Sequence, residues 1–307
     1  MKILSVNISE KKGTIKKPVS EIMLGNFGVK NDAHSGNWTR QVSLLDKESI
    51  DRFAQVAGRK IAFGEFAENI TTTGLELVKT LPLDRLTGKE AELEITQIGK
   101  QCHGTSCTIF SEVGNCIMPT DGIFARVIKG GVLRPGDELE YHPKVFRIHV
   151  ITLSDRASTG DYDDRSGPRI RAFLEDHFEK EGRKSIIEQV IIPDEPSKLR
   201  NLMEEAVRWH ADVVFTTGGT GVGMRDITIR TVKPMLDLEI PGIMEKIRIQ
   251  YGEKNPLALL SCSVAGLIDN TLIYTLPGSV KAVNDYMPEI LKTMEHLIYM
   301  RHGLDLH

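Results

Sequence analysis

From Val145 to the C-terminal end, short β-branched apolar runs alternate with amphipathic stretches, and no other feature constrains the fold as tightly. VFRIHVITLS (145–154), SIIEQVIIP (185–193), DVVFTT (212–217) and TLIYTLP (271–277) read as strands. Between and after them, 168–180, 197–210, 227–236, 241–253 and 281–300 carry helical periodicity. Repeated strand–helix alternation predicts a three-layer α/β fold with a mainly parallel sheet and helices on both faces. In such sheets ligands bind beyond the carboxyl ends of the strands.

The first half has a different texture. KILSVNIS (2–9), RQVSLL (40–45), ENITTTG (68–74), AELEITQIG (91–99) and DELEY (137–141) are short β-rich segments separated by Gly, Pro and Asn. A single helix is predicted over Lys47–Val56. Short strands around one helix predict a mostly-β domain, a compact barrel or sandwich. His142-Pro143 interrupts the pattern, which places the seam near Lys144: a domain over 1–144 and another over 145–307. With 307 residues, 40% of them hydrophobic and 26% charged, each half can bury an ordinary core. A formal net charge of −3 excludes a generally basic nucleic-acid footprint. No apolar run approaches the roughly 18 residues of a membrane span. A cytoplasmic location is the expectation.

Four segments fall at the carboxyl ends of the strands. They are Ser154-Asp155-Arg156, Pro193-Asp194-Glu195, Thr217-Gly218-Gly219-Thr220-Gly221 with Arg225-Asp226 beyond, and Pro277-Gly278-Ser279 followed by Lys281. Glycines let backbone amides approach an anion and adopt positive φ. A following helix start would add unpaired N–H groups. The loop therefore favours a phosphate, although it lacks the GxxxxGK[ST] spacing; a tight strand-to-helix turn is the plainer reading. Asp194 and Asp226 beside a polyphosphate would hold Mg²⁺. Each also precedes a predicted helix, where an aspartate ordinarily caps the first turn. Lys281, Arg156 and Arg165 are open between anion contact and surface ion pair.

Taken together and in order, SDRASTGDYDDRSG, the IPDE step, TTGGTGVGMRDIT, IPGIMEKIR and LPGSVKAV resemble the MogA family of molybdenum-cofactor biosynthesis, related to the G domain of gephyrin. The resemblance covers nearly the whole second half. It implies a molybdopterin adenylyltransferase, commonly trimeric, that uses Mg-ATP to place AMP on the terminal phosphate of molybdopterin and releases pyrophosphate. Asp194 and Asp226 match the family's essential aspartates. Ser154-Asp155-Arg156, the Thr217–Gly221 loop and Pro277, Gly278, Ser279 and Lys281 match its nucleotide and pterin contacts. Ser261-Cys262 stands where the family often reads Ser-Arg, so a basic contact is absent there.

In the first half, GVKNDAHSGNWTRQVSLL, FGEFAENITTTGL and GNCIMPTDGIFARVIKGGVLRPGD resemble a MOSC domain, the module found at the end of molybdenum-cofactor sulfurases. That resemblance implies cofactor binding, or carriage of sulfur, molybdenum or tungsten, through a cysteine. Cys107 is the first choice by its place in the motif. His34 and Arg40 are candidate pterin-phosphate contacts, and Cys102 stands beside them as a further candidate. The C-x4-C-x8-C spacing of Cys102, Cys107 and Cys116 is not a standard zinc pattern; three small buried residues is the plain alternative. Other cofactor-biosynthesis proteins are the implied partners, and a homo-oligomer is expected. Two other functions remain at this stage. One is a dinucleotide pyrophosphatase of the competence-damage type on the same fold; the other is a cofactor carrier or scaffold without catalysis.

Overall fold

The computed structural model describes residues 1–100 and 116–304. It separates into two compact units. Val145–His302 forms one; Met1–Lys144, with Gly303 and Leu304 grouped to it, forms the other.

The first unit carries β1 (Lys2–Ile8), β2 (Lys17–Val19), β3 (Ile22–Gly25), β4 (Gly28–Val29), β5 (Val42–Asp46), α1 (Lys47–Ala57), β6 (Ile70–Thr73), β7 (Arg85–Thr87), β8 (Glu92–Ile98), β9 (Ile123–Lys129), β10 (Gly131–Leu133) and β11 (Glu140–His142). Eight of these strands form one sheet in the order β11-β7-β8-β9-β5-β6-β1-β2, and three form a second, β10-β3-β4. Among the described residues only β5 and β6 pair in parallel in this unit; the other neighbours are antiparallel.

The expected barrel does not close among the described residues. Among the described residues the large sheet returns on itself through the isolated bridge between Lys2 and Glu138, three backbone hydrogen bonds that tie Met1 and Ile3 to 136–139, and the Met1 amine, which donates to the Leu139 carbonyl at 2.9 Å. Strand β5 runs through the middle and is buried along its whole length, as its neighbours on both sides require. Helix α1 starts directly after it. Asp46 caps the helix by accepting from the Ser49 N–H at 2.7 Å, and Gly58 ends it in the left-handed region at φ 65°.

The second unit carries β12 (Val145–Leu153), α2 (Asp155–Ser158), α3 (Ser166–Lys180), β13 (Lys184–Ile192), α4 (Pro196–Arg208), β14 (Val213–Thr217), α5 (Thr228–Val232), β15 (Leu238–Glu239), α6 (Pro241–Gly252), β16 (Ala265–Ile268), β17 (Thr271–Leu276) and α7 (Val280–Arg301). The sheet order is β13-β12-β14-β17-β16-β15. The first four strands are parallel, and the short β16 and β15 turn back antiparallel.

Side chains alternate across this sheet with period two. Ile151, Leu153, Val214 and Ile273 pack against Leu199, Met203 and Ala206 of α4 and Val232 of α5. On the opposite face Phe146 stacks on Phe178 of α3 at 5.1 Å, and Phe215 stacks on Tyr274 at 5.2 Å. Burying each such side chain contributes roughly 1.5–3 kcal/mol. The result is the α/β/α layering expected from the alternation, with four loops delivered to one rim.

Candidate functional site

The rim is built around the glycine loop. Gly218 has φ 105°, and a Cβ there would lie 2.3 Å from the Leu153 carbonyl oxygen. Its N–H donates to the Leu276 carbonyl at 3.0 Å, while the Thr217 hydroxyl donates to the Pro277 carbonyl at 3.0 Å. Only glycine fits between the exits of β12 and β17, which fixes both against the loop. Gly278 is tightly placed as well, since its Cβ would meet the Gly218 Cα at 3.2 Å.

The helix behind this loop begins at Thr228, within a residue of the predicted start at 227, but not directly after the glycines. Residues 221–227 intervene, and α5 has five residues only. No helix dipole therefore backs the loop directly. Asp226 organises the intervening stretch instead, by accepting from the Gly223 N–H at 2.8 Å. A Cβ on Gly221 would lie 2.7 Å from the same carboxylate. Neither aspartate caps a helix: α5 starts after Ile227 and α4 after Glu195, both without a side-chain cap.

Asp194 is tied instead to Asp155. The Asp194 N–H donates to Asp155 Oδ1 at 2.9 Å, and the Asp155 N–H donates to Asp194 Oδ2 at 3.3 Å. Asp155 Oδ2 also accepts from Arg225 in a short ion pair. Partial burial pushes the Asp194 carboxyl above its ordinary value. The charges of Asp155 and Asp226 add to the rise; the Asp155 N–H and Arg225 oppose it.

Ser154 and Ser279 serve as helix caps. Ser154 accepts from the Ala157 N–H at 3.2 Å, and Ser279 from the Ala282 N–H at 3.1 Å. Arg156 lies 5.3 Å over the Tyr162 ring. The Cys262 N–H donates to the Thr220 carbonyl at 2.9 Å, so the Ser261-Cys262 strand entry braces the glycine loop through backbone alone.

Two cavities open on this rim. One, of about 400 Å³, is lined by Gly219, Thr220, Gly221, Asp226, Ser261 and Lys281, among others. The second, of about 470 Å³, is lined by Ser154, Arg156, Asp164 and Arg165. Gly278 and Ser279 line both. Tyr251, Asn255 and Asp285 also line the first, and sequence reasoning did not single them out. Asp164 was missed as well. It accepts from the Thr152 hydroxyl at 2.7 Å and from Ser166 N–H at 2.9 Å, fixing the start of α3. An aspartate two residues before Ser-Gly-Pro was the available signal.

No three His, Cys, Asp or Glu side chains converge as a ready metal cage among the described residues. Asp194 and Asp226 do share one electrostatic field with Asp155. That donor set suits Mg²⁺, which keeps several waters and binds through one or two carboxylates plus substrate phosphates.

In the first unit, Asp32 is the organising residue. Both its oxygens accept from Lys16 at 2.8 Å, and it also takes the Ser9 N–H at 3.0 Å and the His34 N–H at 2.9 Å. His34 Nδ1 lies 3.4 Å from Asp32 Oδ1. Arg40 lies 5.2 Å over the Trp38 ring, whose N–H donates to the His34 carbonyl at 3.1 Å. His34 and Arg40 are thus brought together around Trp38. Cys102 and Cys107 lie outside the described residues. Cys116 is half-buried, with apolar neighbours Phe66 and Met118. No helix among the described residues is long and apolar enough to cross a membrane.

Comparison with known families matches this architecture twice. Residues 149–296 match the family described as "Probable molybdopterin binding domain", and residues 31–140 match the MOSC domain. The chain belongs to the first family through its second unit and carries a MOSC domain in its first, a fusion of MOSC and MogA-type modules. A molybdopterin adenylyltransferase from Pyrococcus furiosus is 36% identical over 161 residues, which is 51% of this chain and 91% of that protein. Gephyrin from Dictyostelium discoideum is 35% identical over 156 residues, 49% of this chain but 22% of that protein. This chain therefore spans under a quarter of gephyrin's length. Among solved structures, the tungsten cofactor synthesizing protein MoaB from Pyrococcus furiosus is 33% identical, covering 53% of this chain and 99% of that one, with a TM-score of 0.47.

Proposed function

We propose that the Val145–His302 unit acts in molybdenum-cofactor biosynthesis by transferring AMP from Mg-ATP to the terminal phosphate of molybdopterin. A pterin phosphate oxygen attacks the α-phosphorus, the bond to the β-phosphate oxygen breaks, and pyrophosphate leaves with that electron pair. No protein nucleophile is required. The main observation behind this reading is the pair of cavities that share Gly278 and Ser279, one of them against the glycine loop and Asp226. Two adjoining recesses suit two anionic ligands that must meet end to end.

The protein's task in that reaction is alignment and screening. Two unit charges about 4 Å apart repel by about 4 kcal/mol at an effective dielectric near 20. The Gly219–Gly221 backbone, Lys281 and Arg156 supply positive potential. Asp194 and Asp226 would hold Mg²⁺, which screens the phosphates when bound. The MOSC unit, in this reading, binds the cofactor or carries sulfur or metal through a cysteine, with Cys107 the first choice and His34 and Arg40 at the pterin phosphate. A trimer and pathway partners belong to the same proposal.

The test supplies ATP, Mg²⁺ and molybdopterin and follows pyrophosphate release, with a pyridine dinucleotide as the rival substrate. Pyrophosphate with molybdopterin as acceptor supports the proposal. Hydrolysis of the dinucleotide, or pterin binding without turnover, replaces it with the pyrophosphatase or the carrier. For the first unit, thiol labelling with and without cofactor reads out Cys107: unchanged labelling and no sulfur transfer remove its role.

A further inference from the structure

We propose that Arg225 is a catalytic residue that exchanges Asp155 for the triphosphate, and that Asp155 is a positioning residue that holds Asp194 and parks Arg225 until the nucleotide arrives. The inference rests on the adenylyl-transfer reading and extends it: the sequence motif makes Asp155 a ligand contact and assigns Arg225 no role of its own.

The carboxylate of Asp155 is already spent. One oxygen accepts from the Asp194 N–H at 2.9 Å and the other from Arg225, while the Asp155 N–H closes back on Asp194. A carboxylate so occupied, and repelled by any phosphate, is poorly placed to hold substrate. It is well placed to set the loop after β13 and the stretch after the glycine loop in register. Loss of Asp155 would therefore misplace Asp194 without removing any ligand contact.

Arg225 has the opposite character. Its side chain is 84% exposed, and only Nη2 is engaged. A guanidinium carries five N–H donors in a rigid fork that matches phosphate oxygens in pairs. Its neighbours in the chain, Val222 and Met224, are 73% and 92% exposed, so this stretch is not anchored by apolar packing at those positions. Asp226, the next residue, lines the cavity of the glycine loop, and Ser154 and Arg156, on either side of Asp155, line the other. The ion pair thus joins the rims of the two recesses. An exposed pair contributes little and is readily given up, whereas a guanidinium on phosphate makes stronger, charge-assisted bonds. As the Pα–O bond breaks, negative charge grows on the departing pyrophosphate, which is where a relocated Arg225 would act. The exchange also removes a cation from beside Asp194 and Asp226 when Mg²⁺ brings its own charge.

The experiment compares full-length wild type, R225A, R225K and D155N. Calorimetry with Mg²⁺ and a non-hydrolysable ATP analogue gives Kd, and pyrophosphate release gives kcat. R225A should weaken analogue binding by about tenfold and lower kcat by about a hundredfold, with part of each restored in R225K. D155N should do the reverse to binding: it frees Arg225 and removes a repelling charge, so Kd falls by severalfold, while kcat falls because a neutral amide oxygen accepts the Asp194 N–H more weakly than a carboxylate and holds Asp194 less firmly. A merely structural pair would make both variants weaker binders. Wild-type-like binding and turnover in R225A, or weakened binding in D155N, would overturn the exchange. Absence of analogue binding by wild type would instead overturn the functional reading on which it stands.

Discussion

Asp32 in the first unit and Asp155 in the second each have both carboxylate oxygens occupied, and their surroundings are opposite. Asp32 meets Lys16 with both side chains almost fully enclosed, at 2% and 1% exposure; Asp155 meets Arg225 with 39% and 84% exposure. Asp32 also takes two backbone N–H groups, and Asp155 takes one. Enclosure decides what each pair can do. A charge taken from water cannot leave its partner without a penalty of several kcal/mol, so the Lys16–Asp32 pair is scaffold. It fixes the loop that presents His34, Trp38 and Arg40. A charge at the rim changes partners at little cost, so the Asp155–Arg225 pair is free to take part in a reaction cycle. The physical position of a salt bridge, rather than its length, separates support from machinery.

The largest expected effect comes from breaking the enclosed pair. Lys16→Met keeps much of the side-chain volume and strands the Asp32 charge, so the first unit should lose about 3–5 kcal/mol of stability. The double variant with Asp32→Asn should recover most of that loss, because neither member of the pair then leaves an unpartnered charge. Denaturant unfolding followed by a probe in the first unit reads both. Equal losses in single and double variants would break the comparison. Asp226→Ala probes the rim instead. Its carboxylate makes one exposed backbone hydrogen bond, so the melting midpoint should move by only a few degrees. Turnover should fall by about a thousandfold, roughly 4 kcal/mol of transition-state stabilisation. A variant with retained pyrophosphate release would deny Asp226 its role.

The same contrast explains what could be read in the sequence. In the second unit, periodicity alone places four parallel strands within a residue or two of their observed ends, and a parallel sheet then delivers the four loops to one rim. The roles within the rim were less legible. Asp194 and Asp226 each precede a helix in sequence, yet the chain continues to Glu195 and Ile227 before α4 and α5 begin, which leaves both carboxylates outside the caps. Whether Asp155 faces ligand or neighbour depends on contacts with residues 39 and 70 positions away, which no local pattern encodes. In the first unit, β2, β4, β7 and β10 are two or three residues long, too short for an alternation to register. Closure of the large sheet was not legible either: among the described residues it returns on itself through pairing at 136–139, which strand composition does not encode. The buried Lys16–Asp32 pair was invisible because Lys16 lies in the Lys-rich stretch KKGTIKK, which resembles a solvated turn.

An acid titration compares the pairs without mutation. Hydrogen bonds from His34 and the charge of Lys16 outweigh burial and hold the Asp32 carboxyl well below its ordinary value. A carboxylate depressed in the folded state adds stability that is fully present above its unfolded value near 4 and is lost as pH falls toward the folded value. The first unit should therefore weaken steadily as pH drops below about 4. The Asp155–Arg225 pair, being exposed, should contribute little to any acid sensitivity of the second unit. Circular dichroism with a probe in each unit distinguishes them, and a first unit indifferent to pH down to about 2 would contradict the assignment of Asp32 as enclosed scaffold.

Glu289 provides an intermediate case, and the smallest effect. Its carboxylate is 8% exposed, but its partners Lys292 and Lys246, at 2.7 and 2.9 Å, are 59% and 60% exposed. Their hydrogen bonds outweigh burial and hold the Glu289 carboxyl down at about 2. The stability it contributes is present above the ordinary glutamate value of 4.5 and disappears as pH falls through about 2. Because water screens both ammonium groups, Glu289→Gln should cost the second unit only about 0.5–1 kcal/mol at neutral pH. The loss should shrink as pH falls toward about 2 and vanish below it, where the wild-type carboxyl is also neutral. Adding salt at neutral pH should shrink it as well, since screening acts on the lysines. A cost of several kcal/mol, insensitive to salt, would show that enclosure of one partner is enough to make a pair scaffold, and would move the boundary drawn between Asp32 and Asp155.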